Sequence, residues 1–543
     1  MKKFLAGLTA GLLSATALVA PAAISAQSIA GHAELGKTPK NVILLIPDGM
    51  GTNDMLAYRM YKNGGYAAEL PYTVMDQYLV GQMMTAPEND LAAGDSTITD
   101  SAAAGTAMST GEKTYSGAIG LDNDQSVLEN TSEVAKANGK SVGIVVTCDV
   151  FHATPASFHS HVPSRKDYDK MLEDMISDLE GEGVDFDVLL GGGRQYFKTE
   201  ETDFTQNFVD AGFTYVESKD ELAAAEGDKV LGLFSDDALP YDMDTTDEKI
   251  PSLAEMTTAA LDKLSQNDNG FFLMVEASEI DWANHANDLT GMMSEIEAYE
   301  EAFQAAIDFA KEDGETLVIA AADDETGGFT AGGRQKDGKD EQQFIIDPVL
   351  GMKETPQLLA ARIEESGDVE GTLAEYVEWK FTNEEISTME DALTMGDGAY
   401  DTIYQTLIDA VNYRANAGWT SGQHTGGEVS FYAYGPGFEN FIGLIENTDV
   451  AKIVKAFLAG QEPTMESHEA APAEQEATEE APAEEASEET SAEESAEEGA
   501  EEESSEESSE ETSGETAAWW RLFSRTKPCP PFGTGLFYLV HMK

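Results

Sequence analysis

The chain has 543 residues, with 32 Lys+Arg against 102 Asp+Glu, a formal net charge of −70. That balance excludes a nucleic-acid-binding module held by phosphate contacts and sets the chain against anionic membrane surfaces. Two cysteines in this length exclude a disulfide scaffold and a thiolate zinc finger, while the length suffices for a large core.

Lys2 and Lys3 precede an apolar run from Phe4 to Ala20, and small residues follow. This pattern predicts a signal peptide over residues 1–26, cleaved after Ala26 or Ala22, and hence a periplasmic or secreted protein. The run is short and rich in Gly, Ser and Thr, so no membrane span is expected in the mature body. The body, residues 27–460, holds 79 acidic and 26 basic residues, a net −53. Such a body repels itself at low salt and reads as a haloadapted surface, or as that of an ordinary acidic secreted protein.

Short apolar runs at Asn41–Ile46, Ser141–Thr147, Phe186–Leu190, Phe271–Val275 and Thr316–Ala322 have the character of parallel strands buried on both faces. Helical spacing lies between them, as in Tyr168–Leu179 and Leu253–Leu264. The alternation predicts an α/β sandwich, a central largely parallel sheet flanked by helices. Cys148 lies inside the run Val142–Val150 and reads as a buried core thiol, not paired with Cys529. Residues 336–419 are expected to form an inserted surface subdomain, and Phe431–Tyr434 a later strand of either direction. Residues 461–518 contain 23 Glu and no Asp, Lys or Arg, a composition that cannot build a core and predicts disorder. The aromatic and basic residues 519–543 read as a weak anchor or as a segment foreign to the protein.

Ligands of open α/β sheets bind beyond the carboxyl ends of the strands. Asp48 follows the first run, Glu276 the fourth, and Asp323 and Asp324 the fifth, while His152 and Thr154 follow Thr147. Acids so gathered repel one another unless cations compensate. Asp281 and His285 stand four apart, one face of a helix, and suit Zn²⁺, although that spacing alone more often marks a surface Asp–His pair. His424 is a glycine-flanked loop histidine, structural or ligating. Ser101 opens a helix of small residues, where it is either a simple cap or a hydroxyl activated by a metal ion at the positive end of the helix dipole.

Taken in order, Pro47–Gly51, Asp100-Ser101-Ala102, His152-Ala153-Thr154-Pro155, His161–Arg165, Glu276–His285, Asp323–Gly328 and Gln423–Gly426 resemble a bacterial alkaline phosphatase, of halophilic or marine type, from about Asn41 to Gly460. The resemblance implies hydrolysis of phosphate monoesters at alkaline pH through a phosphoserine. It makes Ser101 the nucleophile and Arg165 the phosphate clamp. It implies a first zinc held by Asp281, His285 and His424, a second by Asp48, Asp323 and Asp324 with Ser101, and a magnesium ion held by Asp48, Thr154 and Glu276. A homodimer is expected by analogy alone.

Three positions depart from the family's pattern. Asp324 replaces the usual His, which makes the second site harder and more negative and opens it to Mg²⁺ or Mn²⁺. His152 and Trp282 stand at phosphate-binding positions where some members carry Asp and Lys, so weaker retention of product phosphate is expected. A metal-dependent phosphodiesterase or sulfatase on the same fold is the alternative, and the Ala-Ala-Ala-Gly that follows Ser101 disfavours the sulfatase, whose nucleophile commonly sits in a Cys/Ser-x-Pro-x-Arg setting. A non-catalytic acidic cation-binding protein accounts for the charge but not for Ser101, Arg165 and the ordered histidines.

Overall fold

The computed structural model describes residues 36–89, 96–181, 183–199, 201–332, 342–396 and 398–464, with the backbone of 335–336 and 339–340. Residues 1–26, expected to be a signal peptide, nearly all of the Glu-rich tract, Cys529 and residues 519–543 lie outside the described residues.

Ten strands form one sheet: β1 (Asn41–Pro47), β2 (Leu79–Met84), β3 (Ser141–Asp149), β4 (Val188–Gly192), β5 (Thr214–Val216), β6 (Val230–Leu233), β7 (Phe271–Ala277), β8 (Thr316–Ala320), β9 (Val429–Tyr434) and β10 (Gly443–Glu446). Their spatial order is β10-β2-β9-β8-β1-β7-β3-β4-β6-β5. From β8 through β5 every pairing is parallel, whereas β9 runs antiparallel to both β8 and β2. The direction of the Phe431–Tyr434 strand is thereby fixed as antiparallel.

β1 lies at the centre, between β7 and β8. Its residues Val42 to Ile46 are at most 1% exposed, as a strand covered on both faces requires. Truncating one of them, Ile43→Ala, costs about 2–5 kcal/mol, because the packed neighbours cannot collapse fully into the void. Two groups of helices cover the sheet. One contains the helices Leu253–Leu264 and Leu289–Asp313, which pack on each other and on β7. Asp288 starts the longer helix by accepting bonds from Thr290 N and Gly291 N, and Gly314 ends it at φ 72°, a conformation glycine adopts without a Cβ penalty. The other group contains Ser101–Thr110, Thr131–Ala137, Ala153–Ala156 and Asn447–Leu458.

Residues 342–419 are mainly helical, including Pro356–Ser366, Asn383–Ala392 and Ala399–Ala415. At its base Thr330–Ala331 pairs antiparallel with Ala417–Gly418. Cys148 is fully buried and forms no disulfide among the described residues. Among the described residues no helix is long and apolar enough to cross a membrane.

Candidate active site

The three central strands deliver the acids. Asp48 leaves β1 in a tight turn in which Met50 N donates to Pro47 O at 3.0 Å. Gly49, at φ +73°, carries that turn past Asp281; a Cβ there would lie 2.7 Å from the Asp281 Cα. Glu276, inside β7, is flanked by Ile46 of β1 and Val146 of β3. Asp323 and Asp324 follow β8 after Ala321 and Ala322, and Thr154 lies in the turn of helix after β3, its hydroxyl 3.5 Å from Asp48 Oδ2.

Asp48, Thr154, Glu276, Asp323 and Asp324 are all 0% exposed. Asp48 Oδ1, Glu276 Oε1 and both oxygens of Asp323 have no hydrogen-bond partner, and Asp324 Oδ2 faces His424 Nδ1 at 2.9 Å. Burial, and then their mutual repulsion, drive the carboxyls of Asp48 and Asp323 well above the usual carboxylate range. Burial raises Glu276 to about 7. Buried carboxylates without donors are costly unless a cation meets them, so the orphaned oxygens fit divalent ions.

A second group forms where the helix Glu279–His285 meets the two-residue ladder of His424–Thr425 with Glu325–Thr326. His285 Nδ1 is 2.9 Å from Gly422 O, and His424 Nδ1 is 2.9 Å from Thr99 O. Those carbonyls take the Nδ1 protons and leave both Nε2 atoms as lone-pair donors. The two Nε2 atoms face each other at 3.2 Å, with Asp281 oxygens at 3.3 Å and 3.7 Å. A proton on one Nε2 or a metal ion between the two satisfies this contact, and one carboxylate with two imidazoles suits zinc. Without the metal the groups compensate one another. Burial opposes ionisation of Asp281, but His285 and His424 outweigh it and hold its carboxyl well below the usual range. Burial likewise opposes charge on His424, yet Asp324 and Asp281 raise it to about 10.

Ser101 is 2% exposed and is the first residue of the helix Ser101–Thr110. Asp100 caps that helix, accepting from Ala103 N at 3.1 Å and Gly117 N at 3.0 Å. Its other oxygen accepts from Arg165 Nη1 at 3.0 Å. Arg165 Nη2 stands 3.2 Å from His152 Nε2. Burial and then Arg165 hold His152 down at about 3, so it is neutral and accepts that bond. Trp282 meets His152 edge to face at 5.7 Å between ring centroids. Arg165, His152 and Trp282 therefore adjoin one another, and Thr99, two residues before Ser101, joins the start of that helix to His424. Asp281, His285 and His424 cluster tightly, as do Asp48, Asp323 and Asp324. Glu276 also groups with Cys148 and His152, the thiol donating to Glu276 Oε2 at 3.5 Å, a neighbour not anticipated.

Other contributors escaped the sequence reading. The Thr326 hydroxyl touches Asp281 Oδ1 at 2.7 Å and Asp324 Oδ1 at 2.9 Å, tying the two groups together. Asp54 Oδ2 accepts from Gly51 N at 2.8 Å and Asn284 Nδ2 at 3.3 Å, and Asn284 also donates to Gly49 O at 3.1 Å. This brace locks the Asp48 turn to the helix of Asp281 and His285. Polar residues of this kind are common in any loop, and the only available signal was their place beside the acids.

Residues 39–459 match the family model for alkaline phosphatase. Alkaline phosphatase 4 of Bacillus subtilis is 46% identical over 416 residues, covering 76% of this chain and 88% of the relative. A cold-active alkaline phosphatase from a psychrophilic Shewanella superimposes with a TM-score of 0.70 at 34% identity, covering 77% of this chain and 99% of that one. A mutant of the alkaline phosphatase from the Antarctic bacterium TAB5, solved with Mg bound in its M3 site, superimposes with a TM-score of 0.57 at 27% identity, covering 78% and 99%. With its acids and histidines gathered for metal ions at the ends of the central strands, the chain belongs to the alkaline phosphatase family and is a metal-dependent phosphomonoester hydrolase.

Proposed function

We infer that phosphate monoesters are cleaved here in two displacements on Ser101. The substrate's phosphoryl oxygens bind the Arg165 guanidinium, which Asp100 and His152 hold from two sides so that its fork is oriented before substrate arrives. Ser101 Oγ bonds to phosphorus as the alcohol oxygen leaves. Water then cleaves the phosphoserine, returning Ser101 and releasing inorganic phosphate. Asp281, His285 and His424 would hold a zinc ion, Asp48, Asp323 and Asp324 with Ser101 a second divalent ion, and Asp48, Thr154 and Glu276 a magnesium ion. When bound, such ions lower the pKa of a hydroxyl or water and neutralise charge at the attacking and leaving oxygens. The chain's part is positional: Thr99 and Gly422 fix the imidazole tautomers, Thr326 ties the two ligand groups, and the fully buried helix behind Ser101 keeps the nucleophile in place.

The observation that carries this reading is the convergence of His285 Nε2, His424 Nε2 and the unpartnered carboxylate oxygens, linked to the Ser101 helix through Thr99 O. Ser101→Ala tests it. Turnover of an aryl phosphate should fall at least about a thousandfold with metal content unchanged, since removing a nucleophile leaves only binding and electrostatic catalysis. Activity within tenfold of the parent would remove Ser101 from the mechanism. The export signal read in the sequence implies a periplasmic or secreted enzyme, the net −53 of residues 27–460 implies saline surroundings, and family analogy alone implies a homodimer.

A further inference from the structure

We propose that the site formed by Asp48, Asp323 and Asp324 selects a hard divalent cation, Mn²⁺ or Mg²⁺, rather than zinc. The inference rests on the functional reading above and deepens it by assigning the ion beside the nucleophile. It starts from the donor set. One oxygen from each of the three carboxylates lies within 4.8 Å of the others, and all three residues are 0% exposed. No nitrogen or sulfur belongs to the group.

The nearest imidazole is committed elsewhere. His424 Nδ1 lies 2.9 Å from Asp324 Oδ2, but its N–H points at Thr99 O, and its Nε2 faces His285 Nε2. Turning that ring toward Asp324 would empty the neighbouring zinc site. Asp324 itself is held by Thr326, whose hydroxyl engages Oδ1, while Oδ2 lies 2.9 Å from His424 Nδ1. It offers one oxygen to the group. Asp48 Oδ1 and both oxygens of Asp323 are unpartnered. Three carboxylate groups that can each offer an oxygen to one ion, with no nitrogen or sulfur among them, are the donor set of a hard cation. Zinc's advantage over manganese or magnesium comes largely from nitrogen and sulfur donors, which this site lacks and the Asp281–His285–His424 site has.

The experiment uses the full chain, stripped with a chelator and dialysed against about a tenfold excess of Mn²⁺ over Zn²⁺, with metal content measured directly and bound Mn²⁺ read by electron paramagnetic resonance. The wild type should keep one Mn²⁺ per chain. Asp324→His should lose that signal, gain one Zn²⁺ per chain and bind it at least about tenfold tighter at this site. Asp324→Asn, which adds no imidazole, should weaken Mn²⁺ about tenfold with no gain in zinc. A wild type that fills this site with zinc under these conditions, or an Asp324→His variant with an unchanged zinc-to-manganese ratio, would overturn the proposal. Failure of the phosphatase reading is a separate result: every metal-loaded form would then leave phosphate esters intact, whatever ions were bound.

Discussion

Asp54 is 0% exposed, and burial raises its carboxyl from 3.8 to about 8, with Glu325 adding to the rise and Gly51 N and Asn284 working against it. It is therefore protonated in the folded protein through neutral pH, with Oδ1 unpartnered. A group raised in the folded state contributes stability that is complete below the unfolded value and is lost as pH climbs to the folded one. The loss here runs from about pH 4 to about pH 8. Roughly four units at about 1.4 kcal/mol each bound it near 6 kcal/mol. Asp54→Asn keeps the shape of the neutral acid and can still accept from Gly51 N and Asn284, but it does not titrate. The variant should match the wild type near pH 4 and exceed its stability by about 3 kcal/mol at pH 9, allowing half the bound for relaxation and water entry. Urea unfolding of both metal-loaded proteins at several pH values gives the difference curve, in which other titrating groups cancel. A curve flat between pH 5 and pH 9 would refute the burial argument. Activity should stay within about twofold, since the brace between the Asp48 turn and the helix of His285 survives.

Three further outcomes are expected. Arg165→Ala removes about two charge-assisted bonds to the phosphoryl group and leaves Asp100 unpaired beside a dianion, so kcat/KM should drop about a hundredfold or more; a loss under fivefold in steady-state kinetics would discount the clamp. Trp282→Lys places an ammonium beside His152, and stopped-flow release of inorganic phosphate should slow about tenfold, whereas an unchanged rate ends the idea that Trp282 speeds release. The net −53 of residues 27–460 should make the melting temperature climb between low and molar NaCl, and a constant value would count against haloadaptation.

The centre of the fold was legible because parallel strands buried on both faces are written as unbroken apolar runs. Asn41–Pro47, Phe271–Ala277 and Thr316–Ala320 follow that rule, and their ends carry the acids. The edges follow no such rule. In β2 only Met83 is buried and Leu79 is 52% exposed, while β5 has three residues, so neither run stands out from a loop. The Asp281–His285 spacing gave a helix face, yet nothing local showed that His424 would join it. That meeting depends on a ladder between Thr326 and His424, far apart along the chain. Cys148 was read as a core thiol from its apolar neighbours, and its approach to Glu276 arises only because β3 and β7 pair in register, Val146 against Glu276.

Two electrostatic regimes operate in this molecule, and they answer to different solutes. The surface excess is solvated, and its repulsion dies within about 3 Å once salt is molar. The carboxylates at the strand ends are out of reach of that screening, because Asp48, Glu276, Asp323 and Asp324 are all 0% exposed. In the metal-free chain protonation relieves their repulsion, as the raised Asp48 and Asp323 carboxyls show, and a seated divalent ion displaces those protons, so metal binding is also folding energy. The arrangement that strains the empty fold is the one that makes the loaded site reactive. The unpartnered oxygens that draw cations to the ends of β1, β7 and β8 set those cations where Asp100 already aims Arg165 beside the start of the Ser101 helix. Replacing these acids with apolar residues would stabilise the metal-free chain and remove the reason for Ser101 to ionise.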